Sequence, residues 1–94
     1  VTVGGHQQRE VFYRGRVQGV GFRYTVSRIA ARFAVTGYVR NLSDGRVLVV
    51  AEGPEDELDR FLEAVLDELS QYIRGKNESL KPGTGQFARF EIRY

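Results

Sequence analysis

Apolar and polar residues alternate along "EVFYRGRV" (10–17), putting Val11, Tyr13, Gly15 and Val17 on one face, the period of a strand. From Phe22 the period lengthens. Phe22, Val26, Ile29, Ala30 and Phe33 recur at three- and four-residue steps, the stripe of an amphipathic helix. "VTGYVRN" (35–41) reads as a second strand, and the tight-turn pair "DG" at 44–45 leads from it into "RVLVVAEG", predicting a β-hairpin. Gly53 and Pro54 open a second helix, whose apolar stripe is Leu58, Phe61, Leu62, Val65, Leu66 and Leu69. The pattern then breaks. "QYIRGKNESLKPGTG" predicts a short strand with a long loop, and "QFARFEIRY" a last strand with Ala88, Phe90, Ile92 and Tyr94 on one face.

The order β-α-β-β-α-β predicts an α+β, ferredoxin-like split βαβ sandwich. Its antiparallel sheet carries two helices on one face, with a short C-terminal strand added. That fold serves many functions and settles nothing about chemistry. The length of 94 residues fits one domain, expected over 9–94, preceded by a flexible polar arm over 1–8. The sequence has no apolar run long enough to span a bilayer, and "VTVGGHQQRE" lacks the apolar centre of a signal peptide. It has no Cys, hence no disulfide, thiol nucleophile or Cys-based metal site. A cytoplasmic, monomeric protein without a membrane partner is expected. That the chain ends soon after the domain favours a stand-alone protein.

The net charge of +2 is small. Lys stands only at 76 and 81, and every other cation is Arg, the side chain suited to bidentate grip on phosphate or carboxylate. Acids nearly balance the arginines, so most of them read as a solvated surface.

In "RGRVQGVGFRY" (14–24), Gly15, Gly19 and Gly21 bracket the first strand–helix junction. Such a junction aims free amides at one point, backed by the positive end of the helix dipole. An ordinary tight turn would use the same glycines. The two helix starts differ, however. The second has Glu55, Asp56 and Glu57 in its first turn; the first has no acid there and places Arg23 instead. A cation at a helix N-terminus is unfavourable by roughly 0.3–1 kcal/mol, unless an anion binds between it and the amides. The alternative for Arg23 is a surface pairing with a distant carboxylate. The loop lacks both the GK[ST] ending of a P-loop and the spacing of a dinucleotide fingerprint.

The means of breaking a phosphate monoester are missing: no Cys, a lone His6 in the arm, and no Asp/Glu/His cluster for a two-metal site. An acyl phosphate needs less, because its leaving carboxylate has a conjugate-acid pKa of roughly 4 and requires no general acid. Amides and one Arg could hold the phosphoryl group, and a neutral amide could place the water. Asn41 is a candidate, although Asn beside a hairpin also serves simply as a turn residue.

"GRVQGVGFR" followed by "GYVRNLSDGRVLVVAEG" resembles the two signature segments of the acylphosphatases, small α/β hydrolases of acyl phosphates. The likeness runs from about Tyr13 to Gly53 almost without gaps and continues loosely to "FEIRY". It implies that the amides of Gln18, Gly19, Val20, Gly21 and Phe22 cradle phosphate together with the Arg23 side chain. It further implies that Asn41 positions the attacking water, and that neither metal nor organic cofactor takes part. The partner implied is a small-molecule acyl phosphate. Tyr38 stands where Trp is frequent in the family, and Ser43 where Pro is common. "LSQYIRGKNESLKPG" departs further and leaves the register of the fourth strand open.

Three rivals remain. A non-catalytic phosphate-binding module of the same fold would share both motifs. An RNA-binding domain would need base-stacking aromatics on the third strand, and "RVLVVAEG" has none, so no nucleic-acid partner is expected. In an oligomerising sheet module, Leu48, Val50 and Phe87 would form an exposed apolar patch.

Overall fold

The computed structural model describes residues 6–94, as β1 (His6–Gly15), α1 (Phe22–Ala30), β2 (Thr36–Asn41), β3 (Val47–Pro54), α2 (Glu55–Leu69), β4 (Ile73–Pro82) and β5 (Phe90–Arg93). The strands form one sheet in the order β4-β1-β3-β2-β5. The ferredoxin-like α+β arrangement is as expected, but the sheet is mixed and not wholly antiparallel, because β5 runs parallel to β2. Direction follows from topology. β1 and β2 are both antiparallel to β3 and so point the same way, while β4 opposes β1. The chain crosses the sheet after β4 and reverses, which aligns β5 with β2.

Two strands are longer than their patterns indicated. β1 begins at His6, so the last three residues of the expected arm lie in the sheet: Gln7 opposes Gly53 and Pro82, and Gln8 opposes Glu52 and Lys81. Residues 1–5 of that arm lie outside the described residues. Polarity hid the strand, for Gln8 is buried and spends its amide on Glu52 Oε2 at 2.7 Å. β4 runs ten residues along β1, from Ile73 opposite Gly15 to Pro82 opposite Gln7, with one irregularity at Arg14/Gly15. An edge strand so little buried shows no alternation to read. The other expected elements differ by a few residues. Val17 lies beyond β1, in the loop, yet is fully buried. α1 stops at Ala30; the Arg32 and Phe33 amides donate to Ile29 and Ala30 carbonyls, tightening the last turn.

The core fills the space between the sheet and both helices. Val11, Tyr13, Val39, Val47, Val49 and Ala51 face it from the strands, against the α1 and α2 stripes. Phe61, fully buried, contributes about 1.5–3 kcal/mol by burial. On the opposite face, Leu48 and Val50 are buried as well, which removes the expected apolar patch. β3 is central: Phe12 and Arg40 flank Leu48, Glu10 and Tyr38 flank Val50. The Arg46 guanidinium caps Phe12 at 4.6 Å, and Phe87 meets Tyr38 edge-on at 5.8 Å.

The crossing segment 83–89 is fastened by Glu52. That buried carboxylate accepts from the Thr84 amide (3.0 Å), the Thr84 hydroxyl (2.7 Å) and the Gly85 amide (2.9 Å) besides Gln8.

Candidate active site

β1 ends where the Arg16 amide donates to Tyr72 O at 2.9 Å, and the chain then turns into α1 through Gly19 and Gly21. Both have left-handed φ, +77° and +78°. A Cβ at either would meet nothing within 4 Å, so conformation and not crowding requires glycine there. Gly21 is the N-cap of α1, with no side-chain cap. The helical ladder starts at the Thr25 amide, which donates to Gly21 O at 3.0 Å. Among the described residues, the amides from Gln18 to Tyr24 donate to no protein acceptor. A row of unspent donors thus sits at the positive end of α1, whose first turn has no acid, whereas α2 has three.

Arg23 joins those donors with its charge uncompensated. It forms no ion pair among the described residues. Its guanidinium lies 4.8 Å from the centre of the Tyr94 ring, and Nη1 reaches the Arg93 carbonyl only at 3.5 Å. The surface pairing weighed for this residue is therefore absent. Among the described residues, Arg23 is the only charged side chain lining a cleft of about 220 Å³ at this junction.

Gly19, Gly21, Phe22 and Arg23 bound the cleft from the loop and helix start, and Asn41 bounds it from the end of β2. Phe22 is pinned below by its buried ring, 5.4 Å from Tyr13. Asn41 is the last β2 residue before the turn and pairs with Val47. Its Oδ1 is screened from solvent and has no hydrogen-bond partner. An unpaired buried acceptor costs about 1–3 kcal/mol and is an acceptor in reserve.

Two predicted loop residues line no part of the cleft. Val20 packs against the core. Gln18 sends its amide the other way, to Leu42 O at 2.8 Å and Arg46 O at 2.9 Å. Tyr24 and Tyr94 line the cleft, 68% and 97% exposed, and sequence reasoning missed both. An aromatic off the apolar stripe of α1 was the available signal for Tyr24; Tyr94 reaches the site only because β5 pairs with β2. Tyr13 Oη is also buried and unpaired, and burial, helped by the Glu78 charge, pushes its phenol pKa up, so it stays neutral. Among the described residues no three His, Cys, Asp or Glu side chains stand close enough to hold a metal ion. No described helix is long and apolar enough to cross a membrane.

Residues 9–92 match the family model described as Acylphosphatase. An acylphosphatase of Bacillus licheniformis is 43% identical over 89 residues, covering 93% of this chain and 98% of that protein. One of Archaeoglobus fulgidus is 54% identical over 56 residues, a stretch spanning 60% of this chain and 63% of that protein. The crystal structure of acylphosphatase from Bacillus subtilis superposes with a TM-score of 0.85 at 36% identity, covering 94% of this chain and 99% of that one. A match over nearly the whole domain, with the glycine loop, Arg23 and Asn41 gathered at one cleft, makes this chain a member of the acylphosphatase family of enzymes.

Proposed function

We propose that the chain hydrolyses the carboxyl-phosphate bond of acyl phosphates to a carboxylate and inorganic phosphate, without a metal. The observation that carries this reading is the unpaired Arg23 beside unspent amides at the start of α1. Those amides, from Gln18 to Phe22, take the phosphoryl oxygens, and the guanidinium adds a charge-assisted pair of hydrogen bonds. Preorganised donors of this kind stabilise the charge of a transferring phosphoryl group without reorganisation.

Asn41 places the water. Asn41 lines the cleft, and its unpaired Oδ1 is the acceptor for that water, which relieves the cost of leaving it unpaired. The water oxygen attacks phosphorus, the bond to the acyl oxygen breaks, and the carboxylate departs with the electron pair. The water proton passes to a phosphoryl oxygen, so no protein base is needed. The exposed rings of Tyr24 and Tyr94 flank the entrance and give an apolar acyl group somewhere to lie. Every group invoked comes from one chain, so a monomer suffices.

The test is hydrolysis of benzoyl phosphate in EDTA by the wild-type chain and by Arg23→Ala. Rapid turnover that the variant loses supports the reading. Inorganic phosphate bound by a folded wild-type chain that shows no turnover would leave a binding module instead.

A further inference from the structure

Resting on that reading, we propose that the Gln18 side chain is a positioning residue that fixes the distance between the phosphate cradle and Asn41. Its amide is one of the unspent donors assigned above to the cradle, but its side chain lines no part of the cleft and crosses to the β2–β3 turn. Both hydrogens of Nε2 are spent there, on Leu42 O at 2.8 Å and Arg46 O at 2.9 Å. These two carbonyls belong to the residue after Asn41 and the residue before Val47, and Asn41 and Val47 are the last pair of the hairpin. The turn already holds itself closed, with the Leu42 amide donating to Arg46 O at 2.8 Å and the Gly45 amide to Leu42 O at 3.2 Å. Closing the turn therefore does not need Gln18. What the amide adds is a tie between the loop that would hold phosphorus and the strand end that would hold the water.

That tie matters because, among the described residues, no hydrogen bond fixes the Asn41 side chain. Its Oδ1 has no partner, so its position derives from its backbone, and Gln18 grips that backbone one residue on. In-line attack requires the water within a few tenths of an ångström of its place, and a misplacement of about 1 Å costs about 100-fold in rate. The side chain has the reach for this role and Asn does not, being one methylene shorter.

The experiment uses Gln18→Met, which keeps length and volume but donates nothing, alone and combined with Asn41→Ala. Expected for Gln18→Met are a fall in kcat of about tenfold or more on benzoyl phosphate and competitive inhibition by inorganic phosphate within about threefold of wild type. Asn41→Ala alone lowers kcat strongly, and Gln18→Met is expected to cost less than about threefold further in the Asn41→Ala background, because the two residues act as a unit. Gln18→Asn, polar and too short to span both carbonyls, carries the same expectations if the Met variant does not fold. A kcat within twofold of wild type, an equal loss of phosphate affinity, or the full penalty of the Gln18 variant in the Asn41→Ala background would each overturn the proposal. If Asn41→Ala alone leaves kcat unchanged, the water-positioning reading fails first, and that outcome is separable from the others.

Discussion

At the scale of single residues, the proposed roles separate binding from rate. Arg23 is the cleft's one lining charge among the described residues, so Arg23→Ala should weaken inhibition by inorganic phosphate about 10- to 100-fold, the loss of a charge-assisted contact of about 1.5–3 kcal/mol, and kcat should fall with it. Asn41 brings no charge, and Asn41→Ala should lower kcat by about 100-fold while phosphate inhibition stays close to wild type. Equal loss of phosphate affinity in both variants would show that the roles are not distinct. Gly21 belongs to the same loop for a different reason. With φ at +78° and open space around a Cβ, Gly21→Ala should cost only about 1–2 kcal/mol, read as a modest drop in thermal midpoint. Phosphate affinity should fall more noticeably, because relief of that strain re-aims the amides.

At the scale of elements, the site depends on β1, whose end delivers the loop, and β1 is held on one side by an edge strand with little buried surface. Arg9 secures that edge. Its nearly buried guanidinium joins Asp59 of α2 at 2.7 Å and Glu78 of β4 at 3.0 Å, bridging a helix to the outermost strand. Both carboxylates are partly solvated, so removing the cation strands neither of them in a dry interior; the loss is about 1–3 kcal/mol, below that of a fully buried pair. Arg9→Met should therefore speed amide hydrogen exchange along β4 while kcat at 25 °C changes little. Uniform acceleration across all strands would instead mean that the whole fold had loosened.

At the scale of the whole molecule, β5 reaches the site only because 83–89 crosses the sheet, and Glu52 fastens that crossing. Burial opposes the charge on Glu52, but donors from Thr84, Gln8 and Gly85 outweigh it and hold the pKa below its ordinary value of 4.5. A carboxylate depressed on folding contributes stability that is present above its unfolded pKa and lost as pH falls through the folded value. Glu52→Gln should lower the thermal midpoint at pH 7, by about 10 °C for a loss of about 2 kcal/mol. The gap from wild type should close as the pH falls below about 4.5. A gap that is constant from pH 7 to pH 3 would assign the loss to packing and not to charge.

Wherever one face is wet and the other dry, periodicity alone specifies the element, and so α1, α2 and β2 were legible, while the DG turn placed β3 after it. The missing acids at the start of α1 pointed to the proposed anion site by elementary electrostatics, and the two motifs named the family. β3, buried on both faces, has no alternation and was read from its apolar run and the turn before it; periodicity failed at the polar ends of β1 and β4, where paired backbone and the Gln8–Glu52 contact take over from apolar burial. Only the folded chain could show that Arg23 has no carboxylate partner among the described residues, that Gln18 faces the hairpin, and that Tyr94 stands at the cleft. The last two are contacts across 24 to 71 residues, decided by which strands become neighbours. A local pattern carries the shape of an element, whereas strand order determines what that element meets.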